Sequence, residues 1–300
     1  MKEATIYALG FFDGIHRGHG ALLTACRELA QRHGCRAGAV TFDVHPDTLV
    51  LGRTPSLITT VRERERLMKE EFHMDTVVTL PFDEEMRAMP WQEFLRMLLT
   101  RYDAAGFVCG DDFRFGYRGQ GNASLLEAYC AAENYPCSII PEQLVDGQRI
   151  SSTRIRALIE AGYMETAGTC MGRPYSLTGR VVHGHRLGRR LGIPTANLEL
   201  PPELAVPRFG VYACRCYVDG QGYLAVTNIG TRPTVNGTGI TVEPWLLDFE
   251  GDLYGRELRL EFYKFLRPEM KFPDLSSMQQ EIHFNAAETR RYFERGDDLA

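Results

Sequence analysis

The stretch Gly10-Phe11-Phe12-Asp13-Gly14-Ile15-His16-Arg17-Gly18-His19 sets two histidines three residues apart, where a strand pattern gives way to a helix pattern. Before it, Ala4-Thr5-Ile6-Tyr7-Ala8-Leu9 is short and mostly apolar, as in a buried strand of a parallel sheet. After it, Ala21, Leu22, Ala25, Leu29 and Ala30 recur at helical spacing, and Gly34 stands where a C-cap belongs. His16, Gly18 and His19 therefore fall at a helix N-terminus, where free N–H groups and the positive end of the helix dipole favour an anion such as a phosphate. Gly10, Phe11, Asp13, Gly14 and Gly18 complete the candidate nucleotide-binding turn, with Gly14 and Gly18 allowing close backbone approach. Two imidazoles can hydrogen-bond to charge that develops on a transferring phosphoryl group, and no carboxylate base is needed if the attacking group is a phosphate oxygen. A glycine-rich turn with histidine caps on the surface also fits this stretch alone.

The surrounding chain tips the balance. Strand-like runs at 37–42, 76–80, 106–109 and 137–140 alternate with helical patterns at 61–72, 91–102 and 124–133, which implies βαβ units with right-handed crossovers. Ligands in such sheets bind beyond the carboxyl ends of the strands. Three further loops fall at such ends: Thr41-Phe42-Asp43-Val44-His45-Pro46, Gly110-Asp111-Asp112-Phe113-Arg114-Phe115-Gly116 and Ile150-Ser151-Ser152-Thr153-Arg154-Ile155-Arg156. In the last of these Ser152, Thr153 and Arg156 bring hydroxyls and a guanidinium to a helix start, and Asp112 lies in the loop before it.

The texture changes near residue 165. Short β-rich runs at 178–183, 210–218, 223–229, 240–249 and 257–266 suggest an antiparallel barrel or sandwich, followed by a helix over about 275–293 in which Ser276 and Gln279 offer a capping box. Between the first two runs, Gly184, Gly188 and Arg189 belong to a loop of glycines and arginines suited to phosphates, while Thr195 and Asn197 offer hard oxygens suited to Mg²⁺. Glu243 sits in an otherwise apolar strand pattern, where a carboxylate is costly unless exposed, paired or functional, and it can serve as a general base toward an alcohol.

Composition sets the outer limits. A chain of 300 residues suits two domains, and a net charge of −5 argues against a general affinity for nucleic-acid backbones. The eight cysteines form no C-x-x-C pair; the closest, Cys214 and Cys216, alternate as in a strand, and together they read as buried thiols of a reducing cytoplasm. No apolar run is long enough to span a bilayer, and the first residues lack the apolar core of a signal peptide.

Taken in order, these motifs, with Met171-Gly172-Arg173-Pro174-Tyr175, Leu191-Gly192-Ile193-Pro194-Thr195-Ala196-Asn197, Asn228-Ile229-Gly230-Thr231-Arg232-Pro233-Thr234, Glu243 with Leu247-Asp248-Phe249, and Asp252-Leu253-Tyr254-Gly255, make the chain resemble the bacterial bifunctional riboflavin kinase and FAD synthetase family over nearly its whole length. The resemblance implies an α/β Rossmann-like nucleotidyltransferase domain with a parallel sheet over 1–168. It also implies a six-stranded antiparallel β-barrel of flavokinase type with a terminal helix over 169–300. It implies ATP as co-substrate, Mg²⁺, the small-molecule substrates riboflavin and FMN, Glu243 as base in the barrel, and His16 and His19 at the adenylyl transfer. A cytoplasmic monomer or weak homo-oligomer is expected, with neither nucleic acid nor membrane as partner. The chain departs from the family pattern at Val44, Val235, Pro244-Trp245 and Asn285, where the last helix usually carries an aspartate. Pro244-Trp245 leaves open an adenylyltransferase whose barrel only binds flavin. A non-catalytic flavin sensor is the third reading.

Overall fold

The computed structural model describes residues 4–183, 193–234 and 237–296. The chain divides into two compact units, Met1–Ser152 and Thr153–Ala300.

The first unit is built on five strands, Thr5–Leu9 (β1), Arg36–Phe42 (β2), Thr76–Leu80 (β3), Ala104–Gly110 (β4) and Cys137–Ile140 (β5). All pair in parallel, in the order β3-β2-β1-β4-β5. Helices Arg17–His33 (α1), Val61–Glu70 (α2), Trp91–Arg101 (α3) and Ala123–Glu133 (α4) lie between the strands in sequence. Strand alternation explains the two cores. Ile6 and Ala8 of β1 bury with Leu23, Cys26 and Leu29 of α1 on one face, whereas Tyr7 and Leu9 bury with Phe94, Leu98 and Leu126 on the other. The order reverses between β1 and β4, so a crevice opens at their carboxyl ends.

Helix Ser152–Ala161 (α5) starts on the last residue of the first unit and continues in the second, where Met164–Met171 (α6) packs on the strands that follow. Six strands then form the antiparallel sheet: Tyr175–Val182 (β6), Asn197–Glu199 (β7), Gly210–Val218 (β8), Gln221–Thr234 (β9), Gly237–Leu246 (β10) and Glu257–Arg267 (β11). Their order is β7-β6-β11-β8-β9-β10. The edge strands β7 and β10 approach each other, and the Ala196 N–H donates to the Pro244 carbonyl at 2.9 Å, which nearly closes the barrel. Pro244 is tolerated there for a simple reason. In a strand the N–H and C=O of one residue point to the same side, so its missing donor faces β7 and not the long ladder with β9.

The helix Leu275–Glu294 (α7) covers the outer face of β8 and β9. Its cap is Asp274, whose carboxylate accepts the Ser277 N–H at 2.8 Å, so the capping box expected from Ser276 and Gln279 lies two residues too late. Cys214 and Cys216 are both fully buried, as expected of the alternating pair, and all eight cysteines are free thiols.

Gly106 in β4 is packed against backbone: a Cβ there would stand 2.6 Å from the Pro136 carbonyl oxygen. Gly106→Ala is expected to destabilise the first unit by about 2 kcal/mol. An unchanged denaturation midpoint would contradict this packing.

Candidate functional site

The first cleft, of about 340 Å³, lies at the carboxyl ends of β1, β2, β4 and β5. Its lining includes Gly10, Phe11, His16, Gly18, His19, Asp112 and Ser152. His16 is the N-cap of α1: its Nδ1 accepts the His19 N–H at 3.2 Å. Because Nδ1 accepts, the neutral ring carries its proton on Nε2 and retains a donor. The His19 ring stacks on His16 with centroids 3.6 Å apart and meets Phe12 edge-on at 5.3 Å.

Asp13 and Gly14 do not line this cleft. Asp13 is 1% exposed, and its carboxylate accepts the N–H groups of Ile58 at 2.9 Å and Thr59 at 3.0 Å. The Gly14 N–H donates to Thr59 Oγ1 at 3.0 Å, and a Cβ on Gly14 would meet Ile58 at 2.9 Å. The turn is strained: Phe12, Gly14 and Ile15 have φ of 60°, 78° and 36°. Both flanking side chains are fully buried, and Asp13 locks the turn to the 57–59 loop. Ser152 borders the cleft while its hydroxyl donates to the Asp13 carbonyl at 3.0 Å, tying a third segment to the same turn. Thr153 and Arg156 belong to α5 in the second unit.

Three carboxylates border the cleft: that of Asp111 accepts the Glu142 N–H at 3.4 Å, and the other two meet Arg149. Arg149 pairs with Asp112 and, at 2.8 Å, with Glu142. Sequence reasoning passed over Arg64, which is fully buried behind the cleft wall. Its Nη1 donates to the Phe11 carbonyl at 2.6 Å, to Thr41 Oγ1 at 2.9 Å and to the Phe42 carbonyl at 3.2 Å, and its Cζ stands 4.3 Å from the Phe11 ring centroid. Burial lowers this guanidinium from its ordinary value, and the charge of Asp13 opposes that shift.

The second cleft, of about 300 Å³, lies in the second unit. Cross-strand register builds one wall. Glu243 of β10 is opposite Asn228 of β9, Asn228 is opposite Val211 of β8, and Val211 is opposite Arg267 of β11. All four line the cleft, so a single row across four strands carries a carboxylate, an amide, an apolar side chain and a guanidinium. Glu243 is half-buried. Trp245, two residues on, shares its face and meets His283 of α7 edge-on at 5.6 Å. Thr195 lines the cleft with Glu243, whereas Asn197, the first residue of β7, does not. Gly184, Gly188 and Arg189, like Val235, lie outside the described residues.

The deeply buried thiols are poor nucleophiles, although the hydrogen bond with Cys130 lowers Cys137 from its ordinary value. Burial pushes Cys26, Cys109 and Cys216 up to about 12. Among the described residues no cluster of three or more His, Cys, Asp or Glu side chains is arranged to hold a metal.

Comparison with known proteins follows the same division. A family model described as FAD synthetase matches residues 1–154, and one described as riboflavin kinase matches residues 171–293. A relative from Pseudomonas fluorescens is 35% identical over 95% of this chain and 92% of its own length, and one from Listeria monocytogenes is 30% identical over 98% and 94%. Both are named bifunctional riboflavin kinase/FMN adenylyltransferase. A solved structure from Streptococcus pneumoniae, described as a macrolide-efflux protein, aligns with a TM-score of 0.89 at 29% identity, covering 97% of this chain and 95% of that one. Among the described residues of this chain, no helix is long and apolar enough to cross a membrane.

The Asp13 lock yields a direct expectation. Asp13→Ala leaves buried N–H groups of Ile58 and Thr59 without their acceptor and is expected to cost about 3 kcal/mol in chemical denaturation. A cost within experimental error of zero would show that the turn holds itself.

Proposed function

The chain belongs to the bifunctional riboflavin kinase/FMN adenylyltransferase family, and from that premise we propose that its two clefts divide two phosphoryl chemistries between them. The protein phosphorylates riboflavin with ATP to give FMN, and adenylylates FMN with a second ATP to give FAD and pyrophosphate. The first reaction deprotonates an alcohol, whereas the second attacks with a phosphate oxygen that is already anionic. The observation that carries the assignment is this difference in equipment. The barrel cleft holds Glu243 in its wall, and the first cleft offers a histidine pair at a helix start, with Asp112 and Glu142 engaged by Arg149.

In this reading Glu243 takes the proton from the terminal ribityl hydroxyl as that oxygen attacks the γ-phosphorus of ATP, and ADP leaves. Thr195, which lines the cleft, and Asn197, two residues on at the start of β7, are neutral oxygen donors of one segment. That suits Mg²⁺, which favours few protein oxygens alongside phosphate ligands, and the ion would supply charge neutralisation there. At the first cleft, the FMN phosphate attacks the α-phosphorus of ATP. His16 and His19 donate to the oxygens on which charge develops, and the N–H groups at the start of α1 near Gly18 receive the phosphates. Gly10 and Phe11 border the nucleotide, and Ser152 closes the rim. Asp13 and Gly14 act by holding the turn.

The same proposal makes the protein a cytoplasmic monomer or weak homo-oligomer that acts on riboflavin, FMN and ATP, with no nucleic-acid or membrane partner. Its eight free thiols suit a reducing compartment.

Two variants test the division. Glu243→Gln is expected to slow riboflavin phosphorylation by about 10²- to 10⁴-fold while leaving the adenylylation of supplied FMN near wild type. His16→Ala is expected to slow FAD formation by about 10²-fold and to spare FMN formation. Chromatography of the flavins reads both, and equal loss of the two activities in either variant would contradict the assignment.

A further inference from the structure

Arg267, the last residue of β11, is held by α7 and touches the 268–272 segment that follows it. On the helix side its Nε lies 3.0 Å from Glu281 Oε1 and donates at 3.0 Å to Asn285 Oδ1. Asn285 Nδ2 in turn donates to the same Glu281 oxygen at 3.2 Å. Asn285 is 1% exposed, and its backbone carbonyl accepts the Thr289 hydroxyl at 2.9 Å, so the amide is embedded in α7. Toward the segment that follows, Arg267 Nη1 donates to the Pro268 carbonyl at 3.1 Å, and its Cζ stands 5.7 Å from the centroid of the Phe272 ring. Arg267, Phe272 and Asn285 all line the barrel cleft.

Glu281 and Asn285 are four residues apart and therefore share one helical face. A guanidinium taken largely out of water needs a carboxylate, and burial lowers Arg267 from its ordinary value while Glu281 opposes that shift. One N–H placed evenly between two oxygens is indifferent to which of them bears the charge. Both cannot, because carboxylates 3.2 Å apart repel. We propose that Glu281 and Asn285 form an interchangeable carboxylate-plus-amide clamp. It positions Arg267, and through it the Phe272 wall, for the flat ring of riboflavin. This rests on the barrel being the riboflavin-binding unit.

The test moves the charge along the helix, in the full-length chain. Riboflavin affinity is read by quenching of flavin fluorescence, and KM for riboflavin and for ATP by FMN production. Glu281→Gln removes the carboxylate that pairs with Arg267 and is expected to weaken riboflavin binding about tenfold, raising its KM alike with KM for ATP unmoved. Adding Asn285→Asp to that variant restores a carboxylate from the next turn and returns the affinity to within about threefold of wild type. The thermal denaturation midpoint, together with KM for ATP in FMN production, monitors folding of the second unit in every variant. Wild-type affinity in Glu281→Gln, a double variant no better than the single one, or a loss of thermal stability without a change in riboflavin binding would each overturn the clamp. Quenching needs no turnover, so these outcomes stand apart from whether the barrel phosphorylates its ligand.

Discussion

The buried carboxylate of Asp13 is what the first cleft depends on. A turn that puts the non-glycine residues Phe12 and Ile15 at positive φ is costly, and locally it has the Ile15 N–H bond to the Phe12 carbonyl at 3.1 Å to hold it. Asp13 offsets that cost by accepting backbone N–H groups from a loop 45 residues away, and its carbonyl receives the hydroxyl of Ser152 from the far end of the unit. Three segments distant in sequence thereby converge on the start of α1. Only then do the free N–H groups of the helix and the stacked histidines face a cleft at the point where strand order reverses.

The second unit reaches a comparable precision by another route. Its wall is a matter of register, since pairing across four strands fixes which residues stand in a row, and a slip by one residue would turn Glu243 away from the cleft. The carboxylate proposed as base and the helix start proposed to receive phosphate thus arise from different physics, long-range strand pairing in one unit and a strained turn in the other. This fits the different demands of an alcohol and a phosphate as nucleophiles.

Much of this was legible in the sequence. The alternation of β1, α1 and β2, the capping position of His16 and the C-cap at Gly34 follow from local periodicity and cap chemistry, which act within one or two turns. What escaped was long-range. Asp13 stands inside a motif that reads as nucleotide-binding, and its partners Ile58 and Thr59 carry no local signal. Arg64 sits in the charged run Arg62-Glu63-Arg64-Glu65-Arg66 and looks solvated, yet it shares a helical face with buried Leu67 and Met68, and that spacing was the available clue. The strand Asn197–Glu199 is three residues long and too short to show a period. Pro244 looked disruptive because sequence cannot say which edge a strand occupies. On the outer edge of β10 its missing donor costs no ladder bond with β9.

The division of riboflavin-to-FAD conversion between two clefts, one for each step, is the proposal on which the rest depends. It is tested most directly by complementation: an equal mixture of His16→Ala and Glu243→Gln chains is given riboflavin and ATP, and the flavins are separated over time. The account predicts that FMN appears first and FAD follows, although neither variant alone yields FAD from riboflavin at an appreciable rate. A mixture that accumulates FMN and never forms FAD would contradict it.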